Sequence, residues 1–123
     1  MIVGIGIDLV DIDRFRRSLE RTPSMRTRLF TESELAYTEP QIDPAPSLAA
    51  RFAAREAVMK SLGLGLGAFG FHDVWVERAE SGTPSLMVVG RALDLAAEAG
   101  VARWHLSLTH SATTAGAYVV AEG

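Results

Sequence analysis

Between Leu48 and Leu62 the chain has no broad face suited to water, and that limits what it can fold into. On a helix turning about 100° per residue, Leu48, Phe52, Val58, Met59 and Leu62 form one large apolar sector. Ala49, Ala50, Ala53, Ala54 and Ala57 cover much of the remainder. Such a helix must be covered on most sides, by its own domain or by a neighbouring subunit. Ser47 is expected to cap its start, and Gly63 to end it. Yet it carries Arg51, Arg55, Glu56 and Lys60, with Arg55 inside the apolar sector. Charges placed there need opposite charges, metals or phosphates as partners.

Glu56 and Lys60 lie one turn apart, and two readings follow. One is an ordinary helical ion pair, worth about 0.2–0.5 kcal/mol. The other is a pair of working groups, because the helix lacks the polar face such a pair normally occupies. The glycines that follow are open in the same way. Gly65-Leu66-Gly67-Ala68-Phe69-Gly70 matches G-x-G-x-x-G, but it follows a helix and precedes a strand, the reverse of a dinucleotide fold. Gly63 reads as a helix stop, and the later glycines as a tight loop where backbone can approach a ligand.

Around this helix the pattern is mixed. Residues 2–10 read as a buried strand with Asp8 as its one charged member, followed by a helix capped by Asp11 or Asp13 and running to about Arg21. Thr31-Glu32-Ser33-Glu34 has capping-box spacing and predicts a short helix to about Thr38, and PQIDPAPS reads as a surface loop. Strands are expected over 71–78 and 85–89, a helix over 91–99 before Gly100, and two more strands in WHLSLTH and AGAYVVA. The expected fold is α+β: one domain spanning residues 1–123, with a largely antiparallel sheet packed against a long helix.

Charge and composition narrow the function. The net charge of −3 argues against general nucleic-acid binding. Residues 11–28 nevertheless hold six arginines against three acids, a local +3 that suggests one acidic partner. There is no cysteine, hence no disulfide framework, thiolate metal site or thiol nucleophile. No apolar run approaches the roughly 20 residues of a membrane span, and MIVGIGIDLV lacks a basic leader. A soluble, cytoplasmic protein is expected, with no membrane partner.

Two further places could supply partners for the helix charges. Asp8 reads either as a strand-end aspartate bonded to nearby backbone or as a carboxylate beside Glu56; two such oxygens, with phosphate and water, suit Mg²⁺. In Trp104-His105-Leu106-Ser107-Leu108-Thr109 the pleat puts His105, Ser107 and Thr109 on one face.

Three segments in this order, GIGIDLVDIDRF, RFAAREAVMKSLG and WHLSLTH, resemble the signature motifs of the bacterial holo-acyl-carrier-protein synthases, the small stand-alone 4′-phosphopantetheinyl transferases. FTESELAY is similar to the segment that links the first two, and Arg55 stands where many members have lysine. The resemblance implies a reaction in which a serine of an apo acyl carrier protein attacks the β-phosphate of coenzyme A. The 4′-phosphopantetheine arm is transferred and adenosine 3′,5′-bisphosphate leaves, in fatty-acid or polyketide synthesis. It implies that Asp8 and Glu56 hold Mg²⁺. Glu56 would deprotonate the serine, directly or through a metal-bound water, and Lys60 would stabilise pyrophosphate charge or protonate the leaving group. It also implies coenzyme A contacts from Arg51, Lys60, Gly63, Gly65 and His105, and carrier-protein docking on the helix bearing Arg14, Arg17 and Arg21. The family is typically homotrimeric with active sites between subunits, which fits a helix with too little polar face, and the resemblance implies that the helix charges face a metal–pyrophosphate group. Two other classes fit part of these residues: an adaptor using its arginine helix, and a different Mg²⁺-dependent enzyme of nucleotide diphosphates. The adaptor leaves Asp8, Glu56, Lys60 and His105 without a role.

Overall fold

The computed structural model describes residues 1–123. In chain order the elements are β1 (Ile2–Asp11), α1 (Ile12–Arg21), α2 (Met25–Leu29), α3 (Glu32–Thr38) and α4 (Ala45–Ser61). A 3₁₀ turn (Phe71–Asp73) then leads to β2 (Val74–Arg78), β3 (Pro84–Val88), α5 (Gly90–Glu98), β4 (Arg103–His110) and β5 (Thr114–Glu122). The strands form two antiparallel sheets, β1-β5-β4 and β2-β3. The α+β expectation holds, with the antiparallel pairing divided between two sheets.

The alanines of α4 let it serve as the axis of the molecule. Leu48, Ala49, Ala53, Ala54, Ala57 and Val58 are all fully buried, covered by the chain itself. On one side Val58 and Met59 pack with Val74, Val76 and Val119; on the other Leu48 joins Ile12, Phe15, Leu19 and Phe30. Burying each such side chain stabilises the fold by about 1.5–3 kcal/mol. Against β1 the approach is closer still. A Cβ added to Gly4 would overlap Ser61 O, and one added to Gly6 would overlap Ala57 O. The helix backbone lies directly on the strand, and only glycine allows that.

That close approach corrects the expectation of a strand buried on both faces. Successive residues point to opposite sides of a strand. Gly4, Gly6 and Asp8 therefore face α4, while Ile5, Ile7 and Leu9 face outward and are 53%, 54% and 67% exposed. The register sets Ile5 opposite Val120 and Ile7 opposite Tyr118. An apolar sheet face is thus uncovered in the single chain.

Two helix starts match expectation, and that of α4 differs for a simple reason. Asp11 caps α1, accepting a hydrogen bond from Arg14 N at 2.8 Å. Thr31 and Glu34 form the capping box of α3. At α4, however, Ser47 lies inside the helix, which begins at Ala45 after Pro44. A proline in a first turn has no N–H to lose, so the PAP sequence enters the helix. Ser47 Oγ donates instead to Gln41 Oε1 at 2.9 Å. Residues 71–73, expected to be strand, form the 3₁₀ turn, with Gly70 N donating to the Asp73 carboxylate at 3.3 Å. No helix is long and apolar enough to cross a membrane.

Candidate active site

Three of the expected functional residues meet where β1 crosses α4. Asp8 points toward the helix because it follows Gly4 and Gly6 on the inward face. A cleft of about 390 Å³ opens there, with Asp8 and Glu56 on its wall, Phe15, Met25 and Phe52 among its apolar lining, and Arg14 at its edge. Lys60 reaches across from α4. Its Nζ donates to Ile7 O at 3.0 Å and to Asp8 Oδ1 at 3.1 Å. It makes no ion pair with Glu56, so the ordinary helical pair is not what forms.

Glu56 is the electrostatically costly member of the group. Burial raises its pKa above the ordinary carboxylate value, the negative charge of Asp8 raises it further, and Lys60 acts in the opposite sense. The donor chemistry here fits Mg²⁺. Two carboxylates share one cleft, and no group of three or more His, Cys, Asp or Glu side chains forms a closed cage. Mg²⁺ is commonly held by one or two carboxylates together with substrate phosphates and water.

The remaining helix charges are placed otherwise. Arg55 does not face an open site: it is fully buried and paired with Glu34, Nη1 donating to Oε2 at 2.9 Å and Nη2 to Oε1 at 2.5 Å. Its Nε donates to Phe71 O at 2.8 Å. Glu34 also accepts from Thr31 N at 3.0 Å and Val76 N at 3.2 Å, so the pair ties α3, α4, the 3₁₀ turn and β2 together. The expectation that the helix charges as a group face a metal–pyrophosphate is corrected for Arg55, whose counter-charge comes from its own chain. Breaking such a pair leaves a buried charge alone and costs about 3–5 kcal/mol.

Arg51 lies in a different cleft, of about 510 Å³, with Tyr37 and Arg78. Its guanidinium sits 4.7 Å from the Tyr37 ring centroid, and Nη1 donates to Ser47 O at 3.2 Å. Burial pushes its pKa down, and its Nε is buried without a partner. His105 occupies the outward sheet face, with Nε2 3.0 Å from Glu122 Oε1. That hydrogen bond, then Arg103, lowers the Glu122 pKa. One chain therefore brings together Asp8, Glu56 and Lys60, but neither Arg51 nor His105 with them.

The loop and the arginine helix complete the description. Gly63 has φ +69°, with Gly63 N donating to Lys60 O at 3.0 Å and Leu64 N to Met59 O at 2.9 Å. This paired closure is the left-handed helix ending that glycine favours. Gly65 stands in open space. Arg14, Arg17 and Arg21 are exposed and make no ion pair, whereas Arg16 is held by Asp13 and Asp43 at 2.5 Å each. Ser18 and Met25 also line the Asp8 cleft and were missed from sequence. Met25 belongs to the five-residue α2, whose only signal is Thr22-Pro23-Ser24, a helix stop beside a start.

Comparison with known proteins agrees on one family. Residues 4–121 match the 4′-phosphopantetheinyl transferase superfamily. A holo-[acyl-carrier-protein] synthase of Streptomyces avermitilis is 53% identical over 123 residues, covering 99% of this chain and 98% of that one. The crystal structure of the Neisseria meningitidis holo-[acyl-carrier-protein] synthase superposes with a TM-score of 0.90 at 33% identity, covering 100% of both chains. A Bacillus anthracis holo-(acyl-carrier-protein) synthase, solved in complex with CoA (3′,5′-ADP), gives 0.82 at 32% identity, covering 98% of this chain and 96% of that one.

Proposed function

The chain belongs to the 4′-phosphopantetheinyl transferase superfamily, among the holo-[acyl-carrier-protein] synthases, and we propose the reaction that its Asp8 cleft performs. The protein transfers 4′-phosphopantetheine from coenzyme A to a serine of apo acyl carrier protein and releases adenosine 3′,5′-bisphosphate. The observation that carries this reading is the pairing of Asp8 and Glu56 in one cleft that Arg14 also lines, with Lys60 bonded to Asp8. Coenzyme A as substrate is supported by the complex formed by the B. anthracis relative.

The residues divide the work as follows. Asp8 and Glu56 would hold Mg²⁺, which when bound neutralises pyrophosphate charge. Glu56 accepts the serine proton, directly or through one water, as a carboxylate held in the wall of the cleft. The serine oxygen forms a bond to the β-phosphorus while the bond to the bridging oxygen breaks. Lys60 supplies positive charge to that leaving oxygen, or a proton. Such transfers depend mainly on positioning and charge stabilisation, and they need no protein nucleophile. Gly63 and Gly65 let the following loop lie near the cofactor, and exposed Arg14, Arg17 and Arg21 dock the acidic carrier.

Arg51 and His105 lie away from the Asp8 cleft of their own chain, so their contacts with coenzyme A come from a neighbouring copy. The uncovered face of Ile5, Ile7, Leu9 and Tyr118 supports a homotrimer with sites between subunits. Residues 1–123 act as one transferase unit, in the cytoplasm, without nucleic acid or membrane. Incubation with coenzyme A, Mg²⁺ and apo acyl carrier protein should add one phosphopantetheine to the carrier's mass. An unchanged mass with several carriers would leave the adaptor or another nucleotide enzyme.

A further inference from the structure

Lys60 has a choice of carboxylates, and the one it takes is informative. Glu56 is its neighbour one helical turn back, yet the ammonium crosses to β1 and bonds Asp8 Oδ1 and Ile7 O. The two side chains differ in freedom: Lys60 is 54% exposed, Asp8 only 17%. The acid is fixed in the wall of the cleft, and the lysine is the mobile member on a four-carbon stem.

Resting on the reading of Asp8 and Glu56 as Mg²⁺ ligands, we propose that Lys60 is a place-holding cation. It occupies the Asp8 carboxylate and competes with the divalent cation for that oxygen. Metal entry then releases the ammonium toward the pyrophosphate. The inference follows from charge and reach. Lys60 holds one oxygen of the carboxylate a metal would use, and a positive charge 3.1 Å from that oxygen opposes the arrival of a second, larger one. The neutral Ile7 carbonyl can keep one of the three ammonium protons, so the side chain need not leave the site to give up Asp8. The same lysine would thereby neutralise Asp8 in one state and substrate charge in the next, coupling metal loading to the readiness of Lys60.

The test is binding of Mn²⁺ alone to the full chain, without coenzyme A, read from the paramagnetic resonance signal of the free ion. Lys60→Met removes the charge and keeps most of the stem. It should tighten Mn²⁺ binding by about ten-fold, the order expected of a partly solvated charge contact. Lys60→Arg keeps the charge and should stay near wild type, while Asp8→Asn should lose most binding. If Asp8→Asn weakens binding and Lys60→Met leaves it unchanged or weaker, Lys60 is only a tether between β1 and α4 and the proposal fails. If Asp8→Asn binds Mn²⁺ like wild type, the metal-site reading itself fails, and the proposal falls with it.

Discussion

Glu56 stands where burial and the Asp8 charge both disfavour its ionised form. A carboxyl whose folded pKa is raised adds stability that is fully present below its unfolded pKa. That stability is lost as pH rises through the folded pKa. At neutral pH the ionised side chain therefore destabilises the fold, and Glu56→Gln should raise the melting temperature of the metal-free protein. The same change should lower turnover by about 100-fold or more, because an amide is no base. Mg²⁺ should raise the wild-type melting temperature and leave the variant's nearly unchanged; equal Mg²⁺ shifts in both would remove Glu56 from the metal site. At this scale the sequence was legible where a charge stood out against its surroundings, as in an aspartate within an apolar strand and charges on a helix with no wet face. It was not legible at Arg55, because its partner Glu34 lies 21 residues away and only the fold brings them together.

Elements turn those residues into a site through the contact of β1 with α4. Gly6→Ala would push a methyl carbon into Ala57 O, and the helix must move to make room. The expected loss is about 1–3 kcal/mol of stability in denaturant unfolding. A lower kcat under conditions where the variant is folded should accompany it, since the displaced helix carries Glu56. Gly65→Ala, in open space, is the control and should change stability little. If both substitutions were equally mild, the packing account would be wrong. On α1 the unpaired Arg14 and Arg21 make a separate prediction. Reversing both to glutamate should raise KM for the carrier by about ten-fold or more and flatten its salt dependence, since charge complementarity steers encounter. KM for coenzyme A should stay put, and an equal loss toward both substrates would mean that α1 merely supports the fold. The sequence marked α1, α3 and α5 through their caps and periodicity. It concealed the start of α4, because Pro44 and Pro46 read as loop, whereas Pro44 stands at the N-cap and Pro46 fits the first turn.

The whole molecule presents an apolar sheet face with nothing over it, while Arg51 and His105 stand apart from the Asp8 cleft. An exposed Ile7→Asp should leave the single-chain fold intact, reduce the mass measured by light scattering from three chains to one, and abolish transfer. A variant with wild-type mass and activity would remove that face from the assembly. The alternation of glycine with isoleucine in β1 held this information in the sequence, but an apolar run looks the same whether a helix or another subunit covers it. The central claim is that the Asp8–Glu56 cleft, with Lys60 bonded to Asp8, moves phosphopantetheine from coenzyme A to a carrier serine. A single-turnover reaction of enzyme, coenzyme A, Mg²⁺ and apo carrier, followed by intact carrier mass and nucleotide release together, tests it most directly. Wild type should add one phosphopantetheine for each adenosine 3′,5′-bisphosphate released, and Glu56→Gln should yield neither on that timescale. Carrier modification at the wild-type rate by Glu56→Gln, or nucleotide release by wild type without carrier modification, would contradict the account.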